Sequence, residues 1–463
     1  MTQNEIEHNE SVEASFAKLF KVSHALGCRP LLRTGLIRSC LIAEKRLGRC
    51  CTGRFLSDKS NGEEDEEGRL SGRIHILGLG NVGVFVAHSL AARQSRPPLT
   101  LMLHNRHLYH GWVEKRKSLS LSTRGLDDIK TGFDLNVRNN ETWYSVPATA
   151  SRGVGKLAEE ELSEKLLKRT AEETLAEAWQ DNRPIECLIV ACKAPDTVTA
   201  LRTVKHRLTR DSTVLLLQNG MGAIDDINEL VFPNPGERPH YMSGVISHGL
   251  TGKGAFQAIH VGLGTVTLGP VPPATPATRS IRRNEEEDWA LTTKYLLRTL
   301  TMTPPLVAFA VPYTDLIQYQ LEKLALNCVI NPLTALLGCL NGEPLYHLSF
   351  SRVLRLLLIE ISSVICTLPE LQGVPGIEHR FSVERLRSMA VSLMNKTGKN
   401  TNSMLQDIRA GKKTEIRYLN GYIVRRGEEL GIKCPLNYMI IQLLSTKQGI
   451  LSQTEEDAIP IKV

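Results

Sequence analysis

Lys323, Asn327 and Asn331 recur every fourth residue through "EKLALNCVIN", while Leu324, Ala325, Leu326, Cys328, Val329 and Ile330 fill the intervening positions with apolar or small groups. Four residues advance a helix by about 40° around its axis, so the amine and the two amides share one slowly drifting face. Left unpaired in a core, such groups cost roughly 2 kcal/mol or more each. The face must therefore meet another polar element or a wet cleft. In a cleft, an ammonium can polarise a carbonyl and give it a proton, and amides can orient hydroxyl and carboxylate groups. An amide ladder between packed helices would satisfy the same pattern without chemistry. Pro332 follows directly; it lacks the N–H that would bond the Cys328 carbonyl, which predicts a kink beside this face.

A second concentration of polar groups lies in "NSMLQDIRAGKKTEIRYLNG", with Ser403, Asp407, Arg409, Thr414, Glu415 and Asn420. "GKKTEI" has the look of a loop entering a helix, where a carboxylate is favoured by the backbone dipole. By itself Glu415 reads as a helix-start acid rather than a catalytic one.

These groups need a scaffold, and the chain announces one upstream. "RIHIL" reads as a buried strand, and Val82 to Arg93 as a helix. Between them "GLGNVG" (Gly78, Leu79, Gly80, Asn81, Val82, Gly83) carries glycines in GxGxxG spacing. Glycine allows the tight turn, the approach of backbone to a pyrophosphate and close helix–strand packing, and the helix N-terminus then offers free N–H groups. "LTLML" (99–103) is the next strand and ends in "HNR" with no acid for a ribose 2′-hydroxyl. Arg106 can instead pair with a 2′-phosphate, which favours NADP over NAD, unless it is an ordinary surface cation. Lys193 in "ACKAPD" and Asn219 in "LLQNGMG" fall where later strands end. That edge of a parallel sheet is where ligands sit, although either residue could merely cap a loop.

The 463 residues suggest two or three domains, and 42% hydrophobic with 23% charged residues is the composition of a soluble globular protein. A net charge of +7 with 5% aromatics is too weak a basic excess to argue for nucleic acid. Ten cysteines without a CxxC pair suggest neither a zinc framework nor a disulfide scaffold, and no metal site is expected. The longest apolar run, "RVLRLLLIEISSVICTL", is broken by Arg355 and Glu360, which makes it a core helix and not a membrane span. Residues 1–71 read as an N-terminal extension, its end ("SDKSNGEEDEEGRLSG") a polar linker expected to stay disordered. The Arg-rich part of this extension could be a targeting helix, but its acidic start argues against a transit peptide, and no secretory signal is seen. The location is expected to be intracellular, cytoplasmic or mitochondrial. Residues 72–285 read as an α/β dinucleotide-binding domain with a surface-helix insertion at 139–184, and 286–463 as a helical substrate-binding domain.

"GLGNVG", "CKAPDT", "QNGMG", "KLALNCVINPLTALLGCLNGE" and "SMLQDIRAGKKTEIRYLNGYIV", in that order, closely resemble the ketopantoate reductase (2-dehydropantoate 2-reductase) family, with the length of a fungal member. The resemblance runs from about 73 to 445, interrupted by the insertion. It implies a Rossmann domain followed by an all-α domain like that of 6-phosphogluconate dehydrogenase, and NADPH-dependent reduction of 2-dehydropantoate to (R)-pantoate. By motif position it makes Lys323 and Glu415 the catalytic residues, with proton donation from Lys323 and contact with cofactor or substrate by Glu415, and it assigns substrate contacts to Asn327, Asn331, Asn341 and Ser403. Lys193 and Asn219 match cofactor-side positions, with Asn219 also able to reach substrate. A small 2-keto acid is the implied partner, and a homodimer is compatible with the reading. Arg417 departs from the pattern, since an acid usually follows "TEI". Two alternatives stay open: a related reductase of another 2-keto acid, and a non-catalytic NADP-binding regulatory protein.

Overall fold

The computed structural model describes residues 70–146, 178–273 and 289–457. The helix expected in the middle of 139–184, and the extension up to residue 69, lie outside these. The strands are β1 (Ile74–Leu77), β2 (Leu99–Leu103), β3 (Leu119–Thr123), β4 (Leu126–Lys130), β5 (Asp134–Asn139), β6 (Thr142–Val146), β7 (Trp179–Gln180), β8 (Cys187–Val190), β9 (Thr213–Leu216), β10 (His240–Ile246), β11 (Gly249–Gly254), β12 (Gln257–Gly262), β13 (Val266–Val271) and β14 (Ala308–Ala310). The helices used below are α1 (Asn81–Ala91), α2 (Arg106–Glu114), α3 (Thr197–Arg202), α4 (Ala223–Leu230), α5 (Leu291–Thr301), α6 (Tyr313–Leu337), α7 (Leu348–Thr367), α8 (Ile377–Arg380), α9 (Val383–Lys396), α10 (Ser403–Arg409), α11 (Asn420–Glu429) and α12 (Pro435–Asp457).

The main sheet runs β14-β13-β10-β9-β8-β1-β2-β5-β6-β7. From β5 to β10 all neighbours are parallel, and the order of these six is that of a doubly wound Rossmann sheet, reversing direction between β1 and β8. The cause is legible residue by residue. Ile74 and Ile76, Cys187 and Ile189, and Leu215 and Leu217 share one core with α1 and α5. Leu77, Leu188 and Val190, and Val214 and Leu216 point to the other face, under α3 and α4. Strands buried on both faces lose the apolar–polar alternation and become continuous apolar runs. A second sheet, β11-β12-β3-β4, packs on α1, with Trp112 edge-on to Phe256 at 5.1 Å in the shared core.

Three expected boundaries move. Helix α5 buries Leu296, Leu297 and Leu300 in the sheet's core, and β14 pairs with β13. The all-α body thus begins at Tyr313, not at 286. The ends of the 139–184 stretch are not insertion but sheet, since β6 pairs antiparallel with β5 and β7 with β6. At the start, Ser71 already donates from N and Oγ to the Glu186 carboxylate at 3.0 and 2.8 Å, so it belongs to the domain and not to the extension.

In the helical body α6 is central, packed by α7, α9, α10 and α12. It continues through Pro332 and closes at Gly338, whose φ of +70° is a left-handed cap. Its last carbonyls are met by cations: Lys447 Nζ donates to Ala335 and Leu336, both at 2.8 Å, and Arg409 to Gly338 at 3.1 Å. Positive charge at a helix C-terminus offsets the macrodipole there. Among the described residues no helix is long and apolar enough to cross a membrane.

The glycines of the first turn differ in what they tolerate. A Cβ on Gly83 would lie 1.9 Å from the Gly78 carbonyl oxygen, whereas one on Gly80 meets nothing within 4 Å. Gly83→Ala is expected to lower the denaturant unfolding free energy by about 3 kcal/mol, and Gly80→Ala by less than about 1 kcal/mol. Equal losses at the two sites would refute this account of the turn.

Candidate functional site

The site is assembled at the carboxyl ends of the parallel strands. After β1, Gly78 takes φ +98° with its α-carbon pressed on the β8 loop, so that a Cβ would come within 2.4 Å of Cys192 N. Helix α1 then starts at Asn81 with no side chain capping it and no acid in its first turn. Its orphan N–H groups face the open space in front of Gly80, an arrangement that fits an anion such as a dinucleotide pyrophosphate. Leu79 and Val82 pack partly into the core below, and the Asn81 amide rests beside Gly252 of β11.

At the end of β2, Asn105 caps α2 by accepting from Leu108 N at 2.8 Å. Arg106 is exposed on the first turn and makes no ion pair or side-chain hydrogen bond among the described residues.

The ends of β8, β9 and β10 are met by the helical body. Lys193, after β8, pairs with Asp407 of α10. The Glu415 carboxylate accepts from Ala194 N at 3.3 Å and from Asn219 Nδ2, after β9, at 3.2 Å. Gly220 (φ +87°) lets the β9 loop come so near Tyr418 that a Cβ would sit 2.5 Å from its carbonyl. Met221 N bonds that same carbonyl at 2.9 Å. Lys323 Nζ, from α6, donates to the carbonyl of Ile246 at the end of β10 at 2.7 Å. Four charged groups, Lys193, Lys323, Asp407 and Glu415, are thereby gathered along one edge of the sheet.

Burial governs their protonation. It pulls the Lys323 ammonium down to about 8, with the Glu415 carboxylate holding it up against that trend. It pushes Glu415 above the usual carboxylate range, opposed by the hydrogen bonds from Asn219 and Ala194 N and by the charge of Lys193. Asp407 is likewise raised by burial and opposed by Lys193. An ammonium that loses its proton near neutral pH can serve as an acid to an oxygen placed beside it.

Two models of one family, described as ketopantoate reductase PanE/ApbA and ketopantoate reductase PanE/ApbA C terminal, match residues 74–273 and 315–448. The chain belongs to the ketopantoate reductase family. A probable 2-dehydropantoate 2-reductase of Schizosaccharomyces pombe is 26% identical over 384 residues, 82% of this chain and 98% of that one. Ketoisovalerate reductase BEA2 of Gibberella fujikuroi is also 26% identical, over 76% of this chain and 77% of its own. Among solved structures, a D-mandelate dehydrogenase with NADH and anilino(oxo)acetate superposes with a TM-score of 0.58 at 19% identity, covering 82% of this chain and 99% of that one. That likeness concerns the fold.

In this ketopantoate reductase family member the remaining expected residues fall into two groups. Asn327 and Asn331 lie partly exposed on the Lys323 face of α6, and their side chains make no hydrogen bond among the described residues. Asn341 is instead buried: its Nδ2 donates to Thr397 Oγ1 at 3.0 Å and its Oδ1 accepts from Asn402 at 3.4 Å. Ser403 opens α10 and is exposed. Arg417 points to solvent, so the reversed charge disturbs no packing. Sequence reasoning did not single out Asn402, which caps α10 through Leu405 N at 3.0 Å and also donates to Thr334 of α6. It also left Asp407 unassigned. An Asn before an apolar helix start signals the cap, but neither the Thr334 contact nor the Lys193 pairing has a local signature.

Because folding raises the pKa of Glu415, the folded state holds its proton more tightly than the unfolded chain does. Its contribution to stability must therefore grow as pH falls from neutral towards the ordinary glutamate range. The unfolding free energy of wild type minus that of Glu415→Gln, measured in denaturant across that window, is expected to rise with acidification. A flat or falling difference would contradict a desolvated Glu415.

Proposed function

We propose that this protein catalyses NADPH-dependent reduction of 2-dehydropantoate to (R)-pantoate, the reductive step toward pantothenate and coenzyme A. The observation that carries the reading is the Lys323 ammonium, desolvated and hydrogen-bonded to Ile246 O at the strand edge. It stands on the face of α6 that also offers the amides of Asn327 and Asn331, which have no hydrogen-bond partner among the described residues. The family membership and the S. pombe relative support the substrate class.

This chain's own groups would hold the cofactor: the turn from Gly78 to Gly83 and the N-terminus of α1 would take the pyrophosphate, Arg106 would take the 2′-phosphate, and Lys193 and Asn219 would contribute from the strand ends. When bound, the nicotinamide supplies a hydride to the keto carbon. Lys323 supplies the proton: the carbonyl oxygen gains it from the ammonium, leaving a neutral amine that the buried site tolerates and solvent then reprotonates. Asn327, Asn331 and Ser403 orient the substrate carboxylate and hydroxyl, and Glu415 keeps Lys323 charged while it ties Asn219 in place. Asn341 is assigned to the same pocket, reached once its contact with Thr397 yields.

A second reading, reduction of another 2-keto acid, is favoured by two observations. The ketoisovalerate reductase relative has the same 26% identity as the S. pombe one, over a smaller share of each chain, and the Asn341 amide is already committed to Thr397 and Asn402.

Oxidation of NADPH by the purified protein, followed by absorbance with 2-dehydropantoate, 2-ketoisovalerate and an aryl keto acid, separates the readings. Turnover is expected with 2-dehydropantoate and NADPH, and kcat for reduction is expected to fall as pH rises through about 8, where Lys323 loses its proton. Lys323→Ala should lower kcat by about 10²–10⁴-fold and leave NADPH binding intact. Arg106→Ala should raise KM for NADPH about tenfold and leave that for NADH unchanged. Preference for 2-ketoisovalerate would establish the second reading, and turnover of no keto acid would remove both.

A further inference from the structure

Pro332 lies inside α6, one residue after Asn331. Having no N–H, it cannot bond the carbonyl of Cys328 four residues back, and that carbonyl faces the interior, where water cannot satisfy it. The structure supplies a donor from another element. Asn420, fully buried at the start of α11, gives one Nδ2 hydrogen to Cys328 O at 2.9 Å. The other goes to Asn437 Oδ1, also at 2.9 Å. Asn437, equally buried, donates to Glu360 Oε2 at 2.7 Å. Glu360 in turn accepts the N–H groups of Leu436 and Asn437 at the start of α12, both at 3.0 Å. The orientation of the Asn420 amide is fixed by this chain, since reversing it would set its oxygen against the Cys328 carbonyl. Its Oδ1 has no partner among the described residues, so both of its donors are used while its acceptor is not.

We infer that Asn420 is a positioning residue whose side-chain amide stands in for the backbone N–H that Pro332 lacks, and so fixes the course of the helix that presents Lys323, Asn327 and Asn331. Cys328 sits between the two asparagines of that face. A helix bends where its ladder is broken, and the bend is set by whatever re-satisfies the freed group. Here that group is anchored, through Asn437 and Glu360, to α7 and to the N-terminus of α12. Loss of the anchor lets the helix or an intruding water change the helix course at this point, which moves the amides of the pocket and leaves the dinucleotide turn of the other domain untouched. The inference rests on the proposed function only for the part of it read with substrate.

The test is a double-mutant cycle between Asn420→Ala and Pro332→Ala in the full-length protein. In the wild-type background Asn420→Ala is expected to raise KM for the keto acid about tenfold while KM for NADPH stays within about twofold. In the Pro332→Ala background, where a backbone N–H returns, the same change should alter KM for the keto acid by less than about twofold, and denaturant midpoints should show the same coupling. An unchanged KM, an equal effect in both backgrounds, or a parallel rise in both KM values would overturn the inference. If Asn420→Ala alone does not fold, recovery of folding and turnover in the double variant supports the proposal, and failure of the double variant as well counts against it. If wild type reduces no keto acid, the proposed function fails by itself, and the coupling in the midpoints alone decides whether Asn420 replaces the missing N–H.

Discussion

Glu415 places one carboxylate between the ends of two adjacent parallel strands, accepting a backbone N–H from the β8 loop and the Asn219 amide from the β9 loop. The same side chain helps keep Lys323 charged. A buried carboxylate is tolerable only where hydrogen bonds and a nearby cation compensate its lost hydration, so the loops that supply those groups must arrive together. That requirement couples the helical body to the sheet. Gly220 has to approach Tyr418 closely, α10 has to bring Asp407 to Lys193, and α6 has to set Lys323 against the end of β10. The burial that makes Glu415 costly is also what lowers the pKa of Lys323, and one constraint therefore fixes both the geometry and the protonation of the site.

The Rossmann half was legible because its signals are local. Continuous apolar runs marked strands buried on both faces, and the spacing of Gly78, Gly80 and Gly83 marked a turn whose three glycines prove to have three different surroundings. Lys193 and Asn219 stand where strand ends place them, and the Lys323 face of α6 does carry two amides without a hydrogen-bond partner among the described residues. What the sequence could not convey is long-range pairing. Nothing near Asp407 announces Lys193, which is 214 residues away, and nothing near Asn402 announces Thr334. The domain boundary was misplaced for a similar reason. The periodicity of α5 is helical whichever body it covers, and only its burial of Leu296, Leu297 and Leu300 against the sheet assigns it. Strands β6 and β7 were hidden beside a charged, helix-like stretch whose composition dominated the reading.

Pro332 illustrates how a local rule and its exception coexist. The residue type predicts a broken ladder, yet the helix continues to Leu337, and Asn420 meets the freed Cys328 carbonyl from outside. A search for helix ends along the sequence has no means of seeing a donor that arrives from 88 residues further along the chain. The C-terminal end of the same helix is held by similar borrowing, with Lys447 and Arg409 reaching carbonyls that the helix itself leaves open. Helix α6 thus has neighbours donating to the carbonyls of Cys328, Ala335, Leu336 and Gly338, where its own backbone supplies no partner.

Strand β7 lies at one margin of the sheet, seven strand spacings from β10, where Lys323 docks. At about 4.8 Å per spacing that is on the order of 30 Å. The antiparallel pairing of Ser145 with Trp179 therefore sets the end of β6 and the start of β7 side by side, at a border remote from Lys323. Two chain ends held together in this way form a permissive port, because a segment tethered to both of them transmits little strain to the far end of the sheet. For the protein engineer it is the natural place to graft a reporter or an affinity handle.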